Sequence, residues 1–137
     1  MKLVVPLALV ALAGCAATPA ETARSAARAE AEADRLSRAL AGYTAEAPVG
    51  CINQSTFRSQ SSQAYGSTLV YDAGNLLYRN DMNGQCPELR RDDIRVNRTP
   101  TGQLCRGDIV QLLDRNTRFP VGSCSYGDFI PYRRTAN

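Results

Sequence analysis

The sequence predicts a mainly β fold: a small antiparallel barrel or sandwich stapled by two disulfides and preceded by an alanine-rich N-terminal helix. Three observations predict it. Beyond Pro48 alanine nearly vanishes, and β-branched, aromatic and turn residues take over. Short strand-like segments recur there between Gly, Asn, Asp and Pro turn signals, as in small all-β domains. Four cysteines, Cys51, Cys86, Cys105 and Cys124, remain once a fifth is assigned to the N-terminus. An even set in a small exported domain reads as a disulfide framework.

The chain opens with a short positive start, Met1-Lys2, and an apolar run from Leu3 to Ala13 broken only by Pro6. Such a run is too short for a hydrocarbon core, which needs ~20 residues. With small residues behind it, it is a secretory signal. Leu12-Ala13-Gly14-Cys15 resembles the bacterial lipoprotein signal, in which a peptidase cuts before an acylated cysteine. Small Ala13 and Gly14 fit the peptidase cleft, and only a thiol accepts the diacylglycerol. Residues 1–14 are therefore expected to leave as signal peptide, with Cys15 as the lipidation site carrying palmitate-type chains. Two or more such chains anchor stably where one binds only marginally. Ala16, rather than an aspartate, follows Cys15, which by resemblance favours the outer membrane and a periplasm-facing domain. The competing reading is an ordinary signal peptide with Cys15 in a disulfide, and the odd count of five cysteines opposes it.

Composition excludes several chemistries. The 16 basic residues against 13 acidic give a charge of +3, and Lys2, the only lysine, lies in the signal. A near balance argues against a nucleic-acid binder. There is no histidine, so no Ser-His-Asp or Cys-His nucleophile and no His-bound zinc can form within this chain. The four cysteines contain no C-x₂-C pair, and neither metal nor cofactor is expected.

Residues 15–47 read as a lipidated cysteine plus a helical or flexible spacer. Thr18-Pro19-Ala20-Glu21 combines an N-cap threonine, a proline at the first helical position and a glutamate closing a capping box. Alanine-rich sequence continues to Ala41, Gly42 is a natural stop, and Pro48 lies just beyond. Glu21 with Arg24 and Asp34 with Arg38 are spaced to pair. Ala29, Ala33, Leu36 and Leu40 share one stripe, too short for a sustained coiled coil. A stalk lifting the domain off the bilayer, or a weakly self-associating helix, competes with a linker that is only partly helical, because isolated helices are marginal in water.

Residues 48–137 form the four-cysteine domain. Ile52–Arg58 reads as a strand and Ser59–Ser67 as a loop. Thr68–Tyr71 and Leu76–Arg79 flank Asp72-Ala73-Gly74-Asn75 as a hairpin, and Asn83-Gly84 marks a turn. Ile94–Val96 is expected to turn through Thr99–Gly102 and return at Leu104-Cys105. Ile109–Leu113 is the most apolar strand, and Ser123–Tyr126 and Phe129–Tyr132 supply the last. Four cysteines allow three pairings. The expectation is Cys86–Cys105 around the Thr99–Gly102 hairpin and Cys51–Cys124 joining first and last strands.

Several motifs have bland readings beside functional ones. Arg106-Gly107-Asp108 spells an adhesion tripeptide but reads as a turn entering a strand. Asn53-Gln54-Ser55 and Asn97-Arg98-Thr99 match a glycosylation pattern that means nothing in a bacterial lipoprotein. Glu88, Asp92 and Asp93 could hold a cation, yet Arg90, Arg91 and Arg95 interleave and can pair with them. Arg90, Arg91, Arg95, Arg98 and Arg106 could face an anionic polymer, against a mixed solvated face. Tyr65, Tyr71, Tyr78, Tyr126 and Tyr132 could line a groove, or simply fill strands.

Four stretches taken together resemble a family of small proteobacterial envelope proteins, many with a lipoprotein-type N-terminus. They are Cys51-Ile52, Leu77-Tyr78-Arg79-Asn80, Cys105-Arg106-Gly107-Asp108-Ile109-Val110 and Gly127-Asp128-Phe129-Ile130-Pro131-Tyr132. The resemblance runs from about Leu36 to the end of the chain. It implies the compartment and the domain limits, and brings no activity with it.

The function expected is that of a membrane-anchored envelope lipoprotein whose domain is non-catalytic, binding or structural, and meets an envelope protein or polymer. The alternative is an inhibitor of an exported hydrolase such as lysozyme. Small lipid-anchored β-barrels of that kind share the size, the disulfides and the anchor, although their inhibitory loop signature is missing here. A third reading is an enzyme using Asp108 and Asp128. A flat apolar strip would mark a protein partner, and a long loop carrying Tyr or Arg would mark an inhibitor.

Overall fold

The computed structural model describes residues 17–57, 62–83, 86, 89 and 93–135. Cys15 and the signal before it lie outside the described residues. Within them, no helix is long and apolar enough to cross a membrane.

Helix α1 spans Pro19–Ala39 and starts as its sequence dictates. The Glu21 amide donates to Thr18 Oγ1 at 3.3 Å, and the Thr18 amide donates back to Glu21 Oε2 at 2.8 Å. Glu21 thus serves the cap, and the helical ion pair is Glu32–Arg35 at 2.6 Å. Gly42, at φ +80°, lets the chain turn out of the helix. No residue of α1 is buried. From the expected stripe, Leu36 and Leu40 are half-buried while Ala29 and Ala33 stay exposed. The last turns nevertheless dock, because the Arg35 guanidinium lies 5.1 Å over the Tyr65 ring.

Ten strands follow among the described residues: β1 Tyr43–Ala45, β2 Cys51–Asn53, β3 Ser62–Tyr65, β4 Thr68–Asp72, β5 Leu76–Asp81, β6 Ile94–Asn97, β7 Gln103–Cys105, β8 Ile109–Leu113, β9 Pro120–Ser125 and β10 Phe129–Arg134. They form a five-stranded sheet in the order β1-β10-β5-β4-β3, a three-stranded sheet β6-β8-β9 and a ribbon β2-β7. Every pairing is antiparallel. The mainly β class stands, but the barrel is not closed. An Asn83–Ser125 bridge links the two larger sheets on one side. On the other, the edges β3 and β6 share no backbone ladder.

Local signals placed β4 and β5 correctly. Gly74 sits at φ +83° between them, and its amide donates to Asp72 Oδ1 at 2.7 Å. Non-local pairings depart from expectation. The sheet already begins at Tyr43, inside the stretch read as spacer, because β1 pairs with β10. The Ser59–Ser67 stretch contains β3, whose Ala64 is buried beneath polar neighbours. The strand expected over Ile52–Arg58 stops at Asn53, whose side chain accepts from the Ser55 amide at 3.0 Å and starts a 3₁₀ turn. No hairpin joins β6 to β7: β6 pairs with β8, and β7 pairs with β2.

That last difference corrects the disulfides. The bonds are Cys51–Cys105 and Cys86–Cys124, with Cα separations of 4.0 and 5.9 Å. They replace the expected Cys86–Cys105 and Cys51–Cys124. Cys51 stands directly opposite Cys105 in the β2-β7 ribbon. The flanking bond from the Arg106 amide to the Gly50 carbonyl, 2.7 Å, marks this as the narrow type of antiparallel pair, where side chains lie closest. Cys124, on β9, faces inward and meets Cys86 in the core.

The core gathers Ile52, Leu69, Leu104, Val110, Leu112 and the rings of Tyr71, Tyr126 and Phe129. Asn80, fully buried on β5, organises the turn between β9 and β10. Its Oδ1 accepts from the Gly127 amide at 3.1 Å, and its Nδ2 donates to the Gly127 carbonyl at 2.9 Å. A Cβ on Gly127 would strike the Asp81 carbonyl, so the close approach needs glycine.

Candidate functional site

The open seam between β3 and β6 is a cleft. Strand β6 sets its chemistry by the phase in which it pairs. Arg95 lies opposite Leu112 and Asn97 opposite Val110, and both of those β8 partners are fully buried. Directly paired residues share a face, so Arg95 and Asn97 occupy the core side. The apolar residues Ile94 and Val96 take the other face, the reverse of what alternation alone suggests.

The cavity holds about 670 Å³ and is lined by Gln54, Phe57, Tyr71, Asp93, Arg95 and Asn97 among others. Phe57 stacks on Tyr71 at 5.0 Å between centroids and forms an apolar wall. The Gln54 side-chain amide donates to Thr99 Oγ1 at 3.0 Å, tying the ribbon end to the loop after β6.

A hydroxyl relay lies behind that wall. Tyr126 Oη donates to Asn97 Oδ1 at 2.8 Å, and Tyr71 and Tyr126 share a bond of 2.7 Å. Because the Asn97 oxygen only accepts, Tyr126 spends its proton there and Tyr71 must donate to Tyr126. Burial pushes the Tyr71 hydroxyl well above the ordinary tyrosine range, and burial likewise raises Tyr126. Both phenols therefore stay protonated at neutral pH, as donors rather than nucleophiles.

Arg95 closes the seam by side chain. Its Nη2 donates to the Ser62 carbonyl at 2.7 Å and its Nε to Ser62 Oγ at 3.2 Å. Among the described residues, Arg95 Nη1 is the buried side-chain nitrogen or oxygen with no hydrogen-bond partner. A buried donor left unpaired costs about 1–3 kcal/mol, more when charged. The buried Asp93 carboxylate lines the same cleft. The set offers a small polar ligand the unpaired Arg95 Nη1 beside the amide side chains of Gln54 and Asn97.

Other candidates from the sequence are dispersed. Lipidation at Cys15 falls outside the described residues, as do Glu88, Arg90, Arg91 and Asp92. Asp93 and Arg95 reach the cleft, whereas Arg98 and Arg106 are exposed elsewhere. Arg106-Gly107-Asp108 is a turn, with Gly107 at φ +88° and Asp108 Oδ2 accepting from the Cys105 amide at 2.8 Å. Arg106 pairs with Asp128 at 2.9 Å, so both carboxylates of the enzyme reading have structural partners. The tyrosines form no common groove: Tyr65 lies under Arg35, and Tyr71 and Tyr126 are buried. Sequence reasoning missed Gln54, Phe57 and Asn97. The one available signal was the polar pair Arg95 and Asn97 at alternate positions of a strand.

A second feature projects from the β8-β9 hairpin. Asp114 Oδ1 accepts from the amides of Asn116 and Thr117 at 2.9 and 2.8 Å, and Arg118 adopts a left-handed φ of 60°. This tight turn presents Phe119, 71% exposed, next to Val121 at 44%.

No protein-family profile matches the chain, and no characterised protein or solved structure is significantly similar to it.

Proposed function

We propose that the chain is a membrane-anchored envelope lipoprotein whose domain works by binding, with the ligand seated in the β3–β6 cleft. The observation that carries the site is Arg95, which spans the open seam with a buried Nη1 lacking an acceptor. Small-ligand sites are typically concave and partly apolar, with a few convergent polar groups. The Cys15 signal supports the anchor, and two disulfides suit an oxidising compartment. The lack of histidine and the protonated Tyr71 and Tyr126 favour binding over catalysis.

The test is an NMR titration of the full chain carrying Cys15→Ser with a library of small fragments. Shifts clustering at Gln54, Asp93, Arg95 and Asn97 support the cleft, and hits confined to other surfaces reject it. Labelled palmitate should enter the wild-type chain in cells and not the Cys15→Ser chain; equal labelling rejects the anchor.

The second reading is inhibition of an exported hydrolase. It rests on the rigid tip carrying Phe119 and Arg118, whose shape and charge suit an acidic, apolar-walled cleft such as a glycosidase's. Lysozyme assayed with the chain and with Phe119→Ser decides it. Inhibition lost in the variant supports this reading, and undiminished lysozyme activity with the wild-type chain removes it.

A further inference from the structure

We infer that the β3–β6 cleft takes a carboxylate carried on a compact organic body, with Arg95 as the recognition group. The inference rests on the cleft reading above and adds the chemistry of the ligand. Arg95 spends Nε and Nη2 on Ser62 and holds Nη1 buried without an acceptor. The charged N–H donors left on Nη1 form a stronger, charge-assisted bond with an anionic oxygen, such as a carboxylate's, than with a neutral acceptor.

The lining decides between carboxylate and phosphate. Asp93, only 6% exposed, faces the cleft two residues from Arg95. Its carboxylate is already engaged within the protein, so the choice falls to the apolar lining. Phe57 and Leu104 also line the space and suit an organic body rather than a bare ion. The volume, about 670 Å³, lies inside the range of small-ligand sites. Nη1 is covered by its neighbours, so the carboxylate reaches it as lining side chains turn aside, a change common on binding.

Two sources carry this chemistry: a free organic acid, or the terminal carboxylate of a peptide. The full chain with Cys15→Ser, labelled with ¹⁵N, is titrated with five probes while the Arg95 Nε–H resonance is followed. The probes are N-acetyl-trialanine as acid and as amide, 3-phenylpropionate and its amide, and inorganic phosphate. The expected result is that at least one acid shifts Arg95 Nε–H and binds at least ~10-fold tighter than its amide. The preference should vanish in Arg95→Gln and shrink in Arg95→Lys. A response to the peptide acid alone assigns a chain terminus, and a response to phenylpropionate alone assigns a free acid. Amides binding as well as acids, or phosphate binding tightest, would overturn the carboxylate while leaving the cleft as a site. No cleft shift with any probe overturns the inference, and the fragment titration then reports separately on the cleft.

Discussion

Arg95 and Ser62 join two sheet edges that share no backbone ladder, through a 2.7 Å bond from the guanidinium to the Ser62 carbonyl. A side chain thus stands where a closed barrel would have a row of amides. The seam it spans is the cleft, so architecture and candidate function meet at one residue. Behind it, the Tyr71–Tyr126–Asn97 relay supports the same wall.

Tyr126→Phe removes the hydroxyl at the centre of that relay. It leaves Asn97 Oδ1 without its donor and the Tyr71 hydroxyl without its acceptor. We expect a loss of about 2–3 kcal/mol, against about 1 kcal/mol for Tyr71→Phe, which removes only a terminal donor. Urea denaturation of both variants checks the ranking, and equal losses would contradict the direction of the relay.

How much of this was legible follows from the range of each signal. The α1 start was legible because Thr18, Pro19 and Glu21 act within one turn. The β4-β5 hairpin was legible because Asp72 and Gly74 build the turn themselves. The partners of β6 and β7 were not, because Ile94–Val96 alternates equally well against any apolar strand. Its pairing with β8 turns the Arg95 phase, not the Ile94 phase, toward the core side. The disulfide pairing failed for the same reason, since it was inferred from a β6-β7 hairpin that does not form.

Stability should fall at alkaline pH. Tyr71 and Tyr126 have folded-state pKa values raised above the ordinary tyrosine value of 10.0, chiefly by burial. Above about pH 10 the unfolded chain releases these protons while the folded chain keeps them, so unfolding becomes more favourable as pH rises. Below that pH the two states are equally protonated at these groups and their contribution is constant. Denaturation midpoints measured from pH 8 upward should decline beyond 10, and less steeply in Tyr71→Phe.

Gly127→Ala should be among the most disruptive single-methyl changes. The added Cβ meets the backbone carbonyl of Asp81, which has no rotamer by which to yield, and Asn80 pins the same turn. We expect a loss above ~3 kcal/mol. Gly50→Ala, with open space around its Cβ, is the control and should stay within ~0.5 kcal/mol. Thermal midpoints of the pair provide the measurement.

The two disulfides should differ in reducibility. Cys51 is exposed, whereas Cys86 and Cys124 are 3% and 7% exposed. Exchange needs access of the attacking thiolate to sulfur. Graded dithiothreitol followed by alkylation and mass spectrometry should label Cys51 and Cys105 first. Labelling of Cys86 and Cys124 should await global unfolding, and the reverse order would contradict the burial.

Helix α1 should behave as two segments. Residues 17–31 are exposed throughout, and an isolated helix of that length is marginal in water, so their amides should exchange by fraying, independently of domain stability. From Glu32 onward, half-buried Leu36 and Leu40 and the Arg35–Tyr65 stack tie the helix to the sheet. Amides of Leu36 to Leu40 should therefore be protected, and Arg35→Ala should lower that protection by a factor of about 2–5, the worth of an exposed cation–π contact. Hydrogen exchange read by mass spectrometry resolves the two segments. Uniform protection along α1 would mean that the helix packs along its whole length and leaves no free arm between the domain and Cys15.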